Sequence, residues 1–97
     1  MRIIAKRTLQ EFWIRHPSTE TPLKLWYYHV KSANWECAND VIKQYPMARS
    51  VGNGRFIFKI KGNAYRLIVR INFDHQLVLI RFIGNHSAYD KIDAKTI

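Results

Sequence analysis

The residues with chemistry to offer gather near one end of the chain, in the run Gly84-Asn85-His86-Ser87-Ala88-Tyr89-Asp90-Lys91-Ile92, which Arg66, Arg70 and Arg81 precede. Histidine titrates near neutrality and can give or take a proton. Tyrosine or lysine does either job where neighbouring cations lower its pKa. Arginine's planar fork binds two phosphate oxygens at once. These types fit phosphoryl transfer within RNA, whose 2′-hydroxyl is a nucleophile carried by the substrate itself. Such a reaction needs a base for the hydroxyl proton, cations for the charge that builds around phosphorus, and an acid for the leaving 5′-oxygen. His86, Tyr89, Lys91, Arg66, Arg70 and Arg81 supply all three roles. Each also has a plainer alternative. Arg66 and Arg70 could be solvated charges, His86 a turn cap, Tyr89 a core aromatic, and Lys91 half of a weak surface pair with Asp90. The basic face as a binding surface is the broader reading, and the proton-transfer roles are the narrower one.

Other chemistries find no support in the residue pattern. His16, His29, His75 and His86 are scattered, without the i, i+4 spacing or the cysteine pairs of a metal site. No nucleophile motif stands behind a Ser-His-Asp or Cys-His arrangement. Gly62-Asn63 is a turn and not a phosphate-cradling loop. The seven acidic residues are dispersed and give no carboxylate pair. The expected site therefore uses neither metal nor cofactor.

Composition narrows the partner. Sixteen Lys and Arg against seven Asp and Glu leave a net charge of +9 on 97 residues. That size fits one domain, and a small domain so basic points to nucleic acid or an acidic protein. The cations fall on strands and not on one amphipathic helix, which disfavours a membrane surface. No apolar stretch approaches the roughly 20 residues of a membrane span, and the first seven residues are too short and too charged for a signal peptide. The lone cysteine, Cys37, has no internal partner for a disulfide, so a reducing, cytoplasmic setting is expected.

The elements that must position the site are legible from periodicity. Thr8-Leu9-Gln10-Glu11 has the form of a capping box, followed by a helix with Leu9, Phe12 and Trp13 on one face that stops before Pro17. Thr21-Pro22 opens a second helix with Leu23, Trp26, Tyr27 and Val30 inward, ending at Asn34. A short third helix runs from Asp40 to Tyr45, capped by Asn39 and ended by Pro46. The first two make an αα-hairpin. Met1 to Ile4 reads as an edge strand.

Three alternating runs then follow between Arg55 and Ile83, a period of two that means strands with one face inward. If residue 61 faces residue 64, and residue 73 faces residue 76, then Lys59 faces Arg66, Arg66 faces Ile83, Ile68 faces Arg81, and Arg70 faces Leu79. Phe58, Leu67, Val69, Ile80 and Phe82 share the inner face. Lys59, Lys61, Arg66, Arg70 and Arg81 share the outer one, and a one-residue slip would bury the arginines. The expected fold is two-layer α+β, a small twisted antiparallel sheet on an N-terminal αα-hairpin, in one domain over residues 1–97.

Two segments, Gly62-Asn63-Ala64-Tyr65-Arg66-Leu67-Ile68 and Arg81 through Ile92, closely resemble the HigB-type toxins of the RelE/ParE superfamily. Phe12-Trp13 with His16-Pro17, Pro22-Leu23 through Trp26-Tyr27, and Val41 to Pro46 agree with the family's earlier elements, so the resemblance covers nearly the whole chain. Asn85 departs from the small hydroxyl residue expected before the histidine. The resemblance implies a RelE-like fold and ribosome-dependent cleavage of mRNA. It also implies a cognate helix-turn-helix, HigA-type antitoxin. Carried onto matching positions, it implies function at Arg66, Arg81, His86, Tyr89 and Lys91, with Arg70, Lys59 and Lys61 gripping mRNA or ribosomal RNA. A non-catalytic ParE-like toxin and a plain RNA-binding module are the alternatives.

Overall fold

Apolar residues at helical spacing build the helical layer of the computed structural model, which describes residues 1–97. Leu9, Phe12 and Trp13 form the buried stripe of α1 (Lys6–Arg15), and Leu23, Trp26 and Val30 that of α2 (Glu20–Lys31). A 3-10 turn, Pro17–Thr19, links them, with buried Thr19 donating its hydroxyl to the His16 carbonyl at 2.7 Å. The capping box does not form. α1 starts two residues before Thr8, from Ala5, with no side-chain cap, and Glu11 pairs with Arg7 one turn back at 3.0 Å. α2 ends at Lys31, short of Asn34. α3 (Ala38–Gln44) also begins early, because Asp40 accepts from the backbone of Glu36 and so closes the entry to the helix.

The sheet has five strands in the order β1-β5-β4-β3-β2. These are β1 (Arg2–Ile4), β2 (Arg49–Gly52), β3 (Arg55–Ile60), β4 (Tyr65–Asn72) and β5 (Leu77–Asn85). β1 runs parallel to β5, so the sheet is mixed and not purely antiparallel. The other pairings are antiparallel, and β3 and β4 keep the expected register, with Lys59 opposite Arg66. Seventeen buried residues join the inner face to the helices, among them Phe56, Phe58, Leu67, Val69 and Val78. His16 stacks on Phe12 with ring centroids 4.3 Å apart, which makes it a packing residue.

β5 departs from the parity prediction where it matters. Arg70 faces Leu79 as expected, but a bulge opens between Ile68 and Val69 on the partner side, and Arg81 is the extra residue. Beyond it Ile68 faces Phe82 and not Arg81, and Arg66 faces Gly84 and not Ile83. A bulge re-aims every later side chain of its strand. Phe82 therefore crosses from the inner face to the outer, while Ile83 turns in against the core. The outer face becomes three rows: Arg55, Arg70 and Leu79; Ile57, Ile68 and Phe82; Lys59, Arg66 and Gly84. It is cationic at both ends with an apolar band between. Ile57 and Ile68 are buried at 4% and 0% exposure yet lie outside the core cluster.

Gly84 is required by close approach. A Cβ there would stand 2.6 Å from the Phe82 ring and 3.2 Å from Ala88. Gly84→Ala should therefore displace the Phe82 ring and crowd the following helix, α4 (His86–Tyr89), at Ala88. Overpacking of this kind costs about 1–3 kcal/mol. The midpoint of thermal unfolding by circular dichroism is expected to fall by at least about 4 °C, the lower shift per kcal/mol for a domain of this size.

Candidate active site

The bulge and the glycine bring the end of β5 close against β4, so α4 starts directly beside Arg66. Asn85 caps α4, its Oδ1 accepting from the Ala88 N–H at 2.9 Å. A short polar side chain is what this turn needs, and asparagine meets the need in place of a hydroxyl. His86 and Tyr89, three residues apart, then share the side of α4 that faces Arg66. The Arg66 Nη2 lies 2.9 Å from His86 Nε2, and its guanidinium carbon stands 5.8 Å from the Tyr89 ring centroid.

Arg66 is 8% exposed, unlike the open-face arginine that alternation suggests. Its Nη1 donates to the Asn63 and Tyr65 carbonyls at 3.0 and 3.3 Å, and its Nη2 to Asn63 Oδ1 at 2.7 Å and to His86. Arginine has five N–H donors. Four are spent on neutral acceptors, and no carboxylate approaches, since the ion pairs Arg7–Glu11 and Lys24–Glu20 both lie on the helices. A charge buried without a counter-ion is costly, so its positive potential is left directed at whatever enters the site. Arginine cannot accept a hydrogen bond. In this contact, therefore, Arg66 donates and His86 Nε2 accepts.

A pocket of about 270 Å³ opens beside this group, lined by Met47, Arg49, Ile57, Lys59, Arg66 and Tyr89. Arg49 faces Ile57 across β2 and β3, which puts it on the outer face at the end of the apolar row, one row from Lys59 and Arg66. Three cations and no carboxylate line the pocket. Arg49 and Met47 were not legible as site residues, because β2 is four residues long and follows Pro46 without a clear alternating run. Asn63, read only as a turn residue, proves to be the anchor of the Arg66 fork.

The other expected residues stand apart from this cluster. Arg81, the bulge residue, donates its Nε to the Ile97 carbonyl at 3.3 Å, and Arg55 donates to the same oxygen at 2.8 Å. Together they hold the segment after α4 against the outer face. Arg70 is exposed and lines a different cleft with Asn53, Gly54 and Asp74. Lys61 is exposed in the β3–β4 turn at φ 54°, and Lys91 is exposed just beyond α4, its ammonium unbonded. Tyr45 is excluded as a proton carrier. Burial pushes its phenol up to about 12, and its hydroxyl has no partner. The exposed Cys37 lies at the head of α3, away from the pocket.

The family model described as HigB_toxin, the RelE-like toxic component of a toxin-antitoxin system, matches residues 19–92. No curated protein matches the chain. No helix is long and apolar enough to cross a membrane.

Proposed function

Since the chain belongs to the HigB family of RelE-like toxins, the toxic components of toxin-antitoxin systems, we propose that it is an endoribonuclease that cuts mRNA on the ribosome by attack of the RNA's own 2′-hydroxyl. The observation that carries this reading is the Arg66–His86–Tyr89 cluster, of which Arg66 and Tyr89 line a cationic pocket and His86 bonds to Arg66 beside it. A toxin that only blocked a partner would need cations but no titrating groups beside them.

The 2′-hydroxyl takes the place of the Arg66 N–H on His86 Nε2 and gives up its proton there. The 2′-oxygen bonds to phosphorus, the bond from phosphorus to the 5′-oxygen breaks, and Tyr89 donates its hydroxyl proton to the leaving oxygen. The N–H released by His86 turns to the phosphate, where Arg66 offsets the extra negative charge of the transition state. The products are a 2′,3′-cyclic phosphate and a 5′-hydroxyl. Proton return from His86 to Tyr89 resets the pair. Lys59 and Arg49, exposed and free to move, hold the phosphate from the open side, while Arg81, Arg70, Lys61 and Lys91 grip RNA further along the strand.

The family implies an antitoxin partner, which we take to be of the helix-turn-helix, HigA type. The cytoplasm, where translating ribosomes are found, is the expected place of action. Inducible expression with mapping of mRNA 5′ ends tests the reading: growth arrest with cuts in translated codons is expected, and intact mRNA counts against it. Lys59→Ala and Arg49→Ala should each weaken RNA binding without sequence preference. Each should also lower the slope of log affinity against log salt by about one, as loss of one phosphate contact does. Titrations at several salt concentrations measure this, and an unchanged slope removes that residue from the phosphate contact.

A further inference from the structure

Resting on the endoribonuclease reading above, we propose that the apolar half of the pocket, Met47, Ile57 and Tyr89, seats one nucleobase of the strand being cut and so sets base preference at one position beside the cut. Phosphate binding accounts for Arg49, Lys59 and Arg66, and proton transfer for the Tyr89 hydroxyl, but neither gives Met47, Ile57 or the face of the Tyr89 ring a task. A nucleobase does, because its flat π face stacks on aromatic and apolar side chains, and a thioether packs well against a ring. Met47 is 69% exposed. A single exposed apolar side chain is ordinary, and Ile14 is equally exposed on α1. Met47 differs because it shares one small cavity with an aromatic ring and three cations. Ile57, at 4% exposure, gives that cavity a closed apolar floor. About 270 Å³ lies just below the roughly 300–1,000 Å³ of small-molecule sites, which suits one nucleotide and not a run of them.

Arg49 and Met47 are near neighbours in the chain, so a base seated against Met47 keeps its own phosphate within the cationic half. The base is recognised by stacking and shape, and the seat discriminates purine from pyrimidine more sharply than it does one purine from another.

The test is the base composition around cut sites, mapped from mRNA 5′ ends after induced expression of the wild-type chain, Met47→Ala and Met47→Trp. Base enrichment at a given position is a ratio within each sample and does not depend on the overall rate. Met47→Ala is expected to flatten the enrichment at one position by roughly 2- to 10-fold, the span of a thioether–ring contact, and to leave other positions as they were. Met47→Trp, with a larger stacking face, should steepen it. The same profile in all three chains overturns the seat. So does a uniform loss of cuts with the profile preserved, which marks Met47 as structural. If the wild-type chain makes no cuts, the endoribonuclease reading fails, and the seat fails with it.

Discussion

Replacing His86 by alanine is expected to lower mRNA cleavage by about 10²-fold or more, the usual share of a general acid or base, while the chain stays folded. His86 is exposed at the start of α4, and its side chain has one hydrogen-bond partner, Arg66. The cap that holds α4 is Asn85 and not His86, so the helix survives the substitution. Tyr89→Phe should cost a similar factor by a narrower route, since it removes only the hydroxyl and leaves the ring beside Arg66. Rates on programmed ribosomes, read beside far-UV circular dichroism, check both. Full activity in the two folded variants would take proton transfer away from α4.

Arg66 is the second position where a large effect is expected, and there the loss should be double. Its guanidinium fixes the β3–β4 turn through Asn63 and orients His86 at 2.9 Å. Arg66→Lys keeps the charge, but an ammonium on a flexible stem cannot span the Asn63 side chain, two carbonyls and the imidazole at once. It takes the donors from the part-buried Asn63 and Tyr65 acceptors, at about 0.5–1.5 kcal/mol for each hydrogen bond lost, and it leaves His86 unheld. Cleavage is expected to fall by at least as much as in His86→Ala, about 10²-fold, together with a lower midpoint in urea. Asn63→Ala should reproduce part of this through Arg66 alone, which separates a positioning effect from a lost phosphate contact. Wild-type cleavage by Arg66→Lys would show that the fork carries no catalytic role.

Much of this was readable from residue order. The alternation in β3 and β4 gives their register, because both strands have one buried face and a slip would exchange Leu67 for Arg66. The helical stripes were legible for the same reason. What escaped was set by contacts between segments distant in sequence. The bulge at Arg81 adds a residue that no local pattern announces. It is favoured because Gly84 can then face Arg66 and let Phe82 and Ala88 approach. That single insertion takes Arg81 out of the predicted row and brings His86 and Tyr89 against Arg66. β1 joins β5 in parallel only after the chain has wound back past the helices, and a three-residue strand carries no direction of its own. The Thr8 capping box matched the pattern but lost to a start at Lys6, where Arg7 and Glu11 pair within the helix. The residues flanking Pro46 gave no periodic signal, so Arg49 and Met47 became visible only when β2 was seen beside β3.

The most direct measurement is the chemistry of the ends made in mRNA when the chain is expressed. Attack by the 2′-hydroxyl, with His86 and Tyr89 moving protons, predicts upstream fragments ending in a 2′,3′-cyclic phosphate or its 3′-phosphate, and downstream fragments beginning with a 5′-hydroxyl. Fragments ending in a 3′-hydroxyl and beginning with a 5′-phosphate would show that water and not the ribose is the nucleophile. Those ends, or intact mRNA in arrested cells, would contradict the account.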